Sequence, residues 1–312
     1  MSGYQVFVYP EGAEARELTG AVLELEWGDP AGELAARAVI TLAAERAGGL
    51  KLNVPLVILA DGRAVFEGVI WESSLTDGRR LRLCCYDRLI YLTGSRDSAY
   101  FPAGLTTRQV LESICRRWNV ELKYTYCECT HGRLNLRGMT VAAQLTRTLD
   151  AARVLCARRY MLRMEDGALH VGGLGEDGVK CLIDRARLTG YSHRRGMNGL
   201  VTRVVVTSGA QSGPVKTRAV VDGDTTLGIL QEVVDGAGMS LRDARAQAEG
   251  MIAERGTPGE TISLECVDEP SLRRGDRVRV EAGSLSGEFD VAGVTHSHRR
   301  TMRLELSRHE EG

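Results

Sequence analysis

The run TPGETISLECVDEPSLRRGDRVRVEAGSLSGEFDVAGVTHSHRRTMRLELS, residues 257–307, carries the cleanest pattern in the chain. Ile262, Leu264 and Cys266 alternate with polar residues, as do Val278 and Val280, Phe289 and Val291, and Met302, Leu304 and Leu306. A period of two places every second side chain on one face, the mark of half-buried antiparallel strands. The connectors, Arg274-Gly275-Asp276 and residues 283–287, are short and bear glycine, so successive strands are expected to pair as a meander that closes on itself. Residues 4–86 have the same texture. The expected fold class is therefore mainly β with α+β insertions: two small β-barrels and a mixed α+β middle region between them.

In the first sheet region Tyr4, Val6 and Val8 share a face, and strands are expected at residues 18–27, 35–44, 54–60, 64–72 and 79–86. Gly28-Asp29-Pro30, Gly48-Gly49, Asp61-Gly62 and Asp77-Gly78 read as turns. Asp61-Gly62 is the clearest hairpin, because a two-residue Asp-Gly loop favours the type I′ turn that matches strand twist.

After Tyr86 the period changes. A short segment, DRLIYL, leads through Tyr100-Phe101-Pro102 to Thr106-Thr107, which can cap a helix with Val110, Leu111, Ile114, Cys115 and Trp118 on one stripe. A second helix is expected from about residue 140 to 158, burying Val141, Leu145, Leu149, Ala152, Leu155 and Cys156, followed by a hairpin around Asp166-Gly167. The boundaries that follow are 1–86 for the first barrel and 87–198 for the middle region. Residues 199–226 and 257–312 form a discontinuous second barrel. The interruption, 227–256, is read as two helical segments that pack on the middle region.

The 312 residues are 43% hydrophobic and 26% charged, a globular balance, with a formal net charge of −1. A chain of this size can bury sizeable cores. Near-neutrality gives no general attraction to nucleic acid or anionic membrane, and no apolar run is long enough to span a bilayer. The amino end lacks a basic and then apolar leader, so synthesis without export by a signal is expected. Eight cysteines are irregularly placed, and Cys84, Cys85, Cys115 and Cys156 occupy positions where small hydrophobes are wanted, not a disulfide framework.

Motifs for chemistry are sparse. Residues 173–178 match G-x-G-x-x-G, but the preceding strand belongs to a hairpin and no long helix opens at the third glycine, so a glycine-rich turn is expected and no dinucleotide cofactor. Cys127, Cys129 and His131 form Cys-x-Cys-x-His, the best metal candidate, yet a structural zinc site needs four ligands and no partner pair is evident. His296 and His298 alternate on a strand without a nucleophile nearby and are read as a polar barrel face. No G-x-S-x-G, H-E-x-x-H or glycosidase-type carboxylate pair is present. No catalytic residue, cofactor or metal is therefore assigned; the competing reading is a small metal-dependent or cell-wall-degrading enzyme built on Cys127, Cys129 and His131 or on the late histidines.

The run CYDRLIYLTGSRDSAYFPAGLTTRQVLESICRRWNV, residues 85–120, resembles phage tail baseplate hub proteins of the PBSX-like prophage and late control D type. The likeness continues in LGILQEVVDGAG (227–238), LRDARAQAEGMIAERGTPGETISLEC (241–266), PSLRRGDRVRV (270–280) and GEFDVAGVTH (287–296). It implies two tube-type β-barrels per chain and a homotrimer whose six barrels match a sixfold tail tube above and a threefold central spike below. Tape measure and other baseplate proteins are further implied partners. The implied role is structural, in the tail baseplate of a virion or contractile injection system, assembled in the host bacterial cytoplasm. Some relatives carry a fused lysozyme or peptidase domain, and none is expected here.

Overall fold

A computed structural model describes residues 3–208, 216–236, 240–282 and 285–309. With 51% strand and 20% helix, the protein is mainly β. It forms two compact units, Met1–Tyr191 with Ser263–Gly312, and Ser192–Ile262.

The first lobe of the larger unit contains β1 (Tyr4–Val8), β2 (Arg16–Glu17), β3 (Val22–Asp29), β4 (Arg37–Ala43), the short α1 (Ala44–Ala47), β5 (Pro55–Ala60), β6 (Arg63–Thr76) and β7 (Arg80–Tyr86). They pair in the order β3-β4-β7-β6-β5-β1-β2. The alternation seen in sequence is the reason: Tyr4, Val6 and Val8 meet Leu25, Trp27, Ile40, Leu42, Ile58, Ile70 and Leu83 in one buried cluster. Asp61-Gly62 and Asp77-Gly78 take positive φ at both positions (48° and 78°; 51° and 63°), as a type I′ hairpin requires.

The middle region runs through α2 (Leu89–Gly94), β8 (Arg96–Phe101), α3 (Thr107–Arg117), β9 (Glu121–Tyr124), β10 (Leu134–Thr140), α4 (Val141–Cys156), β11 (Tyr160–Glu165) and β12 (Ala168–Gly173). A capping box opens α3: Thr106 Oγ1 accepts from Gln109 N at 3.3 Å, and Gln109 Oε1 accepts from Thr106 N at 3.0 Å. Its stripe Val110, Leu111, Ile114 and Cys115 packs with Leu145, Leu149 and Ala152 of α4 over β11, β12 and β9, which pair in that order. Leu155 departs from expectation. It is 60% exposed, because the apolar face of α4 drifts off the core in its last turn.

Beyond the turn at 174–178 come β13 (Val179–Asp184) and β14 (Leu188–Gly196). In the smaller unit, β15 (Arg203–Ser208), β16 (Lys216–Asp222), β17 (Gln231–Asp235) and α5 (Leu241–Arg255) form a sheet of order β16-β15-β17 covered by α5. This corrects the expected boundaries. Among the described residues, 199–226 supply their strands β15 and β16 to the sheet with β17 and not to the carboxyl-terminal sheet, and α5 packs through Ala244 and Ala248 on Val201, Val204 and Val206 of its own unit. The first of the two expected helices is the strand β17, whose adjacent β-branched residues Val233 and Val234 pair in parallel with Val205 and Val206. Residues 237–239 of that segment lie outside the described residues.

The chain finishes with β18 (Gly259–Val267), β19 (Arg277–Ala282), β20 (Leu285–Ser297) and β21 (Thr301–Arg308). Ile262, Leu264, Cys266, Val278, Val280, Phe289, Val291, Met302, Leu304 and Leu306 are all buried, as their alternation predicts. Of the connector expected at 283–287, residues 283 and 284 lie outside the described residues. These strands form a second, carboxyl-terminal lobe, which the long strand β20 joins to the first. One edge pairs with β21; the other pairs first with β19 and then, through Val294–Ser297, with Glu26–Asp29 of β3. The result is a thirteen-stranded sheet shared by both lobes.

Candidate functional site

The joint between β3 and β20 gathers several buried polar residues, among them Asp29, Asp276 and His296. Two glycines permit it. A Cβ on Gly28 would lie 2.1 Å from Val294 O, and one on Gly293 would lie 2.5 Å from Ala31 N, so backbone meets backbone where side chains could not fit. Gly28-Asp29, expected as part of a turn, instead ends β3 and faces β20.

Asp29 is 1% exposed and bidentately bound: Arg273 Nε and Nη2 donate to Oδ2 and Oδ1 at 2.6 and 3.0 Å, and Arg274 N donates at 3.2 Å. Burial pushes its pKa up, but the charges and hydrogen bonds of Arg273 and Arg274 outweigh this and hold it below the usual carboxylate range. The Arg274 guanidinium donates to Glu33 O, to Leu34 O at 2.7 Å and to Leu162 O at 3.3 Å, tying the β3–β4 connector to β11. Asp276 accepts from Arg163 Nη1 at 2.8 Å and from Arg273 N at 2.7 Å, and pairs with Lys180 at 3.0 Å. Arg163 Nη1 also donates to Arg274 O at 3.0 Å. Four consecutive residues, Arg273 to Asp276, therefore bind β3, the β3–β4 connector, β11 and β13.

Asp87 is the next fixed point. Leaving β7, it accepts from Leu89 N at 2.9 Å, opening α2, and from Ala36 N at 3.1 Å, just before β4. Burial raises its pKa to about 7; the two backbone N–H groups offset only part of this, and Asp29 opposes ionisation further.

His296 is fully buried, which corrects its reading as part of a polar face. Its ring stacks on Trp27 with centroids 4.1 Å apart and planes 14° from parallel. Nδ1 lies 2.7 Å from Asp268 Oδ1, and Nε2 lies 3.0 Å from Leu272 O. Asp268 also accepts from the Tyr4 hydroxyl. Burial and Asp268 push the Tyr4 pKa up, so the phenol keeps its proton. His298 takes a different place, its Nδ1 accepting from Leu25 N at 3.2 Å.

The Cys-x-Cys-x-His run is divided. Cys127 is disulfide-bonded to Cys156 of α4, a residue expected as a free buried hydrophobe. Cys129 Sγ lies 3.1 Å from Thr107 Oγ1, and His131 is buried with Nε2 2.8 Å from the same hydroxyl. Among the described residues, no group of three or more His, Cys, Asp or Glu side chains is arranged to hold a metal ion. Residues 173–178 turn tightly, Gly175 and Gly178 taking φ of 69° and 77°, and Glu176 accepts from Gly173 N at 3.2 Å. They lead into β13 and not into a helix. No helix among the described residues is long and apolar enough to cross a membrane.

The sequence foreshadowed Arg274-Gly275-Asp276 only as a short connector, and Arg273 not at all. Pairing with Asp29, 244 residues away, has no local signal; the one available hint is two arginines and an aspartate flanking a glycine where a simple turn needs none. The arrangement joins separate chain segments through buried ion pairs and hydrogen bonds, in which Asp29, Asp87, Asp268 and Asp276 are all engaged.

The fold has solved counterparts. A tail protein from Neisseria meningitidis MC58 matches with a TM-score of 0.74 at 16% identity, covering 97% of this chain and 96% of that one. A prophage MuSo2 tail protein from Shewanella oneidensis gives 0.72 at 12% identity, with 98% of each chain covered. An E. coli component of the type VI secretion system, described as structurally similar to T4 bacteriophage tail proteins, gives 0.57 at 13%, covering 98% of this chain and 77% of that one. No curated protein matches. The model of the YQBQ-like family matches residues 39–307, most of the chain, including the joint from Arg273 to Asp276 and all of β20. The chain belongs to the YQBQ-like family.

Proposed function

We propose that this chain is the structural hub of a phage tail baseplate or of a tail-derived contractile injection particle, a homotrimer adapting a sixfold tail tube to a threefold central spike. The observation that carries the reading is the end-to-end likeness to phage tail proteins, which takes in both sheet lobes and the middle region. Two sheet lobes joined by one strand are compatible with it, since three such chains would place six lobes around a threefold axis. The buried joint suits a part that transmits load: removing either partner of a buried ion pair is costly, so the lobes resist separation.

Exposed apolar residues on the first lobe also favour a neighbour. Leu52 and Leu75 are 58% and 61% exposed, and Trp71, 43% exposed, meets Tyr91 edge-on at 5.6 Å. In this reading the tube protein lies above and the spike below, with tape measure and other baseplate proteins in contact. The chain reads no nucleic-acid sequence and carries out no catalysis, and its place is the tail baseplate, assembled in the host bacterial cytoplasm. Native mass spectrometry tests the central claim: three 34.0 kDa chains give about 102 kDa, and imaging of that species should show six lobes in one ring. A stable monomer, or six chains in the ring, would refute the adaptor.

A further inference from the structure

We infer that Cys127 and Cys156 are a modification site, a pair of thiols cross-linked after folding by exchange with a disulfide oxidant of the glutathione class, and that the cross-link staples the connector after β9 to the end of α4. The inference is independent of the proposed hub role.

The geometry singles out this pair. Their Cα atoms are 6.7 Å apart and 29 residues separate them, a span that a disulfide can close. Both residues are half-buried, so a small oxidant can reach them; Cys84, Cys129 and Cys181 are half-buried too but stand as free thiols, and Cys85, Cys115 and Cys266 are buried. Burial pushes the thiols of Cys115 and Cys266 up to about 12 and raises those of Cys85 and Cys181, leaving little of the thiolate that exchange needs. The step balances as two exchanges. One cysteine thiolate attacks a sulfur of the oxidant and releases a thiol; the second thiolate then attacks the mixed disulfide and releases the other. The protein gives up two protons and two electrons, and the oxidant becomes two thiols.

The connector being stapled has structural duties. Cys129 O accepts from Thr107 N at 3.0 Å, His131 O accepts from Gly104 N at 3.0 Å, and His131 N donates to Leu105 O at 2.9 Å, so residues 129–131 form a strap across the start of α3. Tyr124 donates to Cys127 O at 2.7 Å, and the Tyr126 hydroxyl donates to Arg158 O just beyond α4. None of these hydrogen bonds uses a sulfur of the pair, so on this inference the reduced chain keeps its fold. The cross-link adds loop closure, which bars the strap from opening away from α4. Such a site suits a chain that folds in a reducing compartment and later meets an oxidising one.

The test compares the full chain in dithiothreitol with the chain in oxidised glutathione. Alkylation and intact mass should show two of the eight cysteines protected only in the oxidised sample, with a peptide linking Cys127 to Cys156. Amide exchange over residues 125–131 and 153–158 should slow by about tenfold or more, within the few-hundred-fold ceiling set by closing a loop of about 30 residues. Exchange in β4 should not change. Cys127→Ser/Cys156→Ser should exchange at the reduced rate in both buffers; if that variant does not fold, the two wild-type states decide alone. Eight alkylated cysteines after oxidation, a link between Cys129 and Cys156 instead, or a correct link without slower exchange would each overturn the inference.

Discussion

Arg273→Ala should be among the most damaging single substitutions in the chain. Asp29 is 1% exposed and would lose both charge-assisted bonds, at 2.6 and 3.0 Å, keeping only the Arg274 N–H at 3.2 Å. The Arg273 side chain is itself only 16% exposed, so little water can take its place. Leaving a buried charge without its partner costs about 3–5 kcal/mol, and the surviving N–H argues for the lower half of that range. Asp29→Asn removes the charge at the other end. The double variant should then cost less than the sum of the singles by at least about 2 kcal/mol, because each single strands the group the other removes. Acid supplies a second check. Asp29 is held below the usual carboxylate range, so its contribution is complete above about pH 4 and is lost as pH falls below that. In Arg273→Ala that hold is gone and protonation relieves the stranded charge, so the deficit should narrow as pH is lowered from 7 toward 4. Urea unfolding followed by tryptophan fluorescence reads this directly, since Trp27 sits two residues from Asp29 and is stacked on His296. A cost below about 1 kcal/mol, or a coupling below about 0.5 kcal/mol, would refute the idea that this pair holds the joint.

Three further outcomes are expected. Gly28→Ala should destabilise by about 2–4 kcal/mol, because its Cβ would meet Val294 O at 2.1 Å, whereas Gly20→Ala, with nothing within 4 Å, should stay within about 0.5 kcal/mol; equal melting of the two variants would contradict the close approach of β3 and β20. Asp87 has its folded pKa raised to about 7, so the native chain holds a proton between about pH 4 and 7 that the unfolded chain lacks, and its contribution to stability falls as pH rises through that window, by up to about 1.4 kcal/mol per unit. Asp87→Asn should flatten that slope, and an unchanged stability-versus-pH curve would show that the group does not titrate there. Finally, protein purified without chelator should contain well under one zinc per chain by elemental analysis; a full equivalent that disappears in Cys129→Ser would revive the metal-dependent reading.

What could be read in advance was local. Period-two alternation located Ile262, Leu264 and Cys266, or Tyr4, Val6 and Val8, because facing a core every second residue is a property of one strand wherever its partners lie. The three Asp-Gly hairpins and the Thr106 cap were legible for the same reason: positive φ and an unsatisfied helix N–H are settled within four residues. Strand partnership is different. Nothing in the sequence around Val294 says that its neighbour is Asp29 or that β15 and β16 leave the main sheet for β17, since period two fits any edge equally well. The candidate joint was hidden for a related reason. Arginine, aspartate and histidine are ordinarily solvated, so Asp29 and His296 read as turn or surface, and Arg273 carries no signal, until the fold encloses them and each must find a partner. Cys127 and Cys156 likewise looked like unrelated thiols. Alternation, turns and caps are determined by the amino-acid sequence alone; which edges meet, which charges are buried and which sulfurs come within reach are decided by tertiary structure, because those depend on residues brought together from far along the chain.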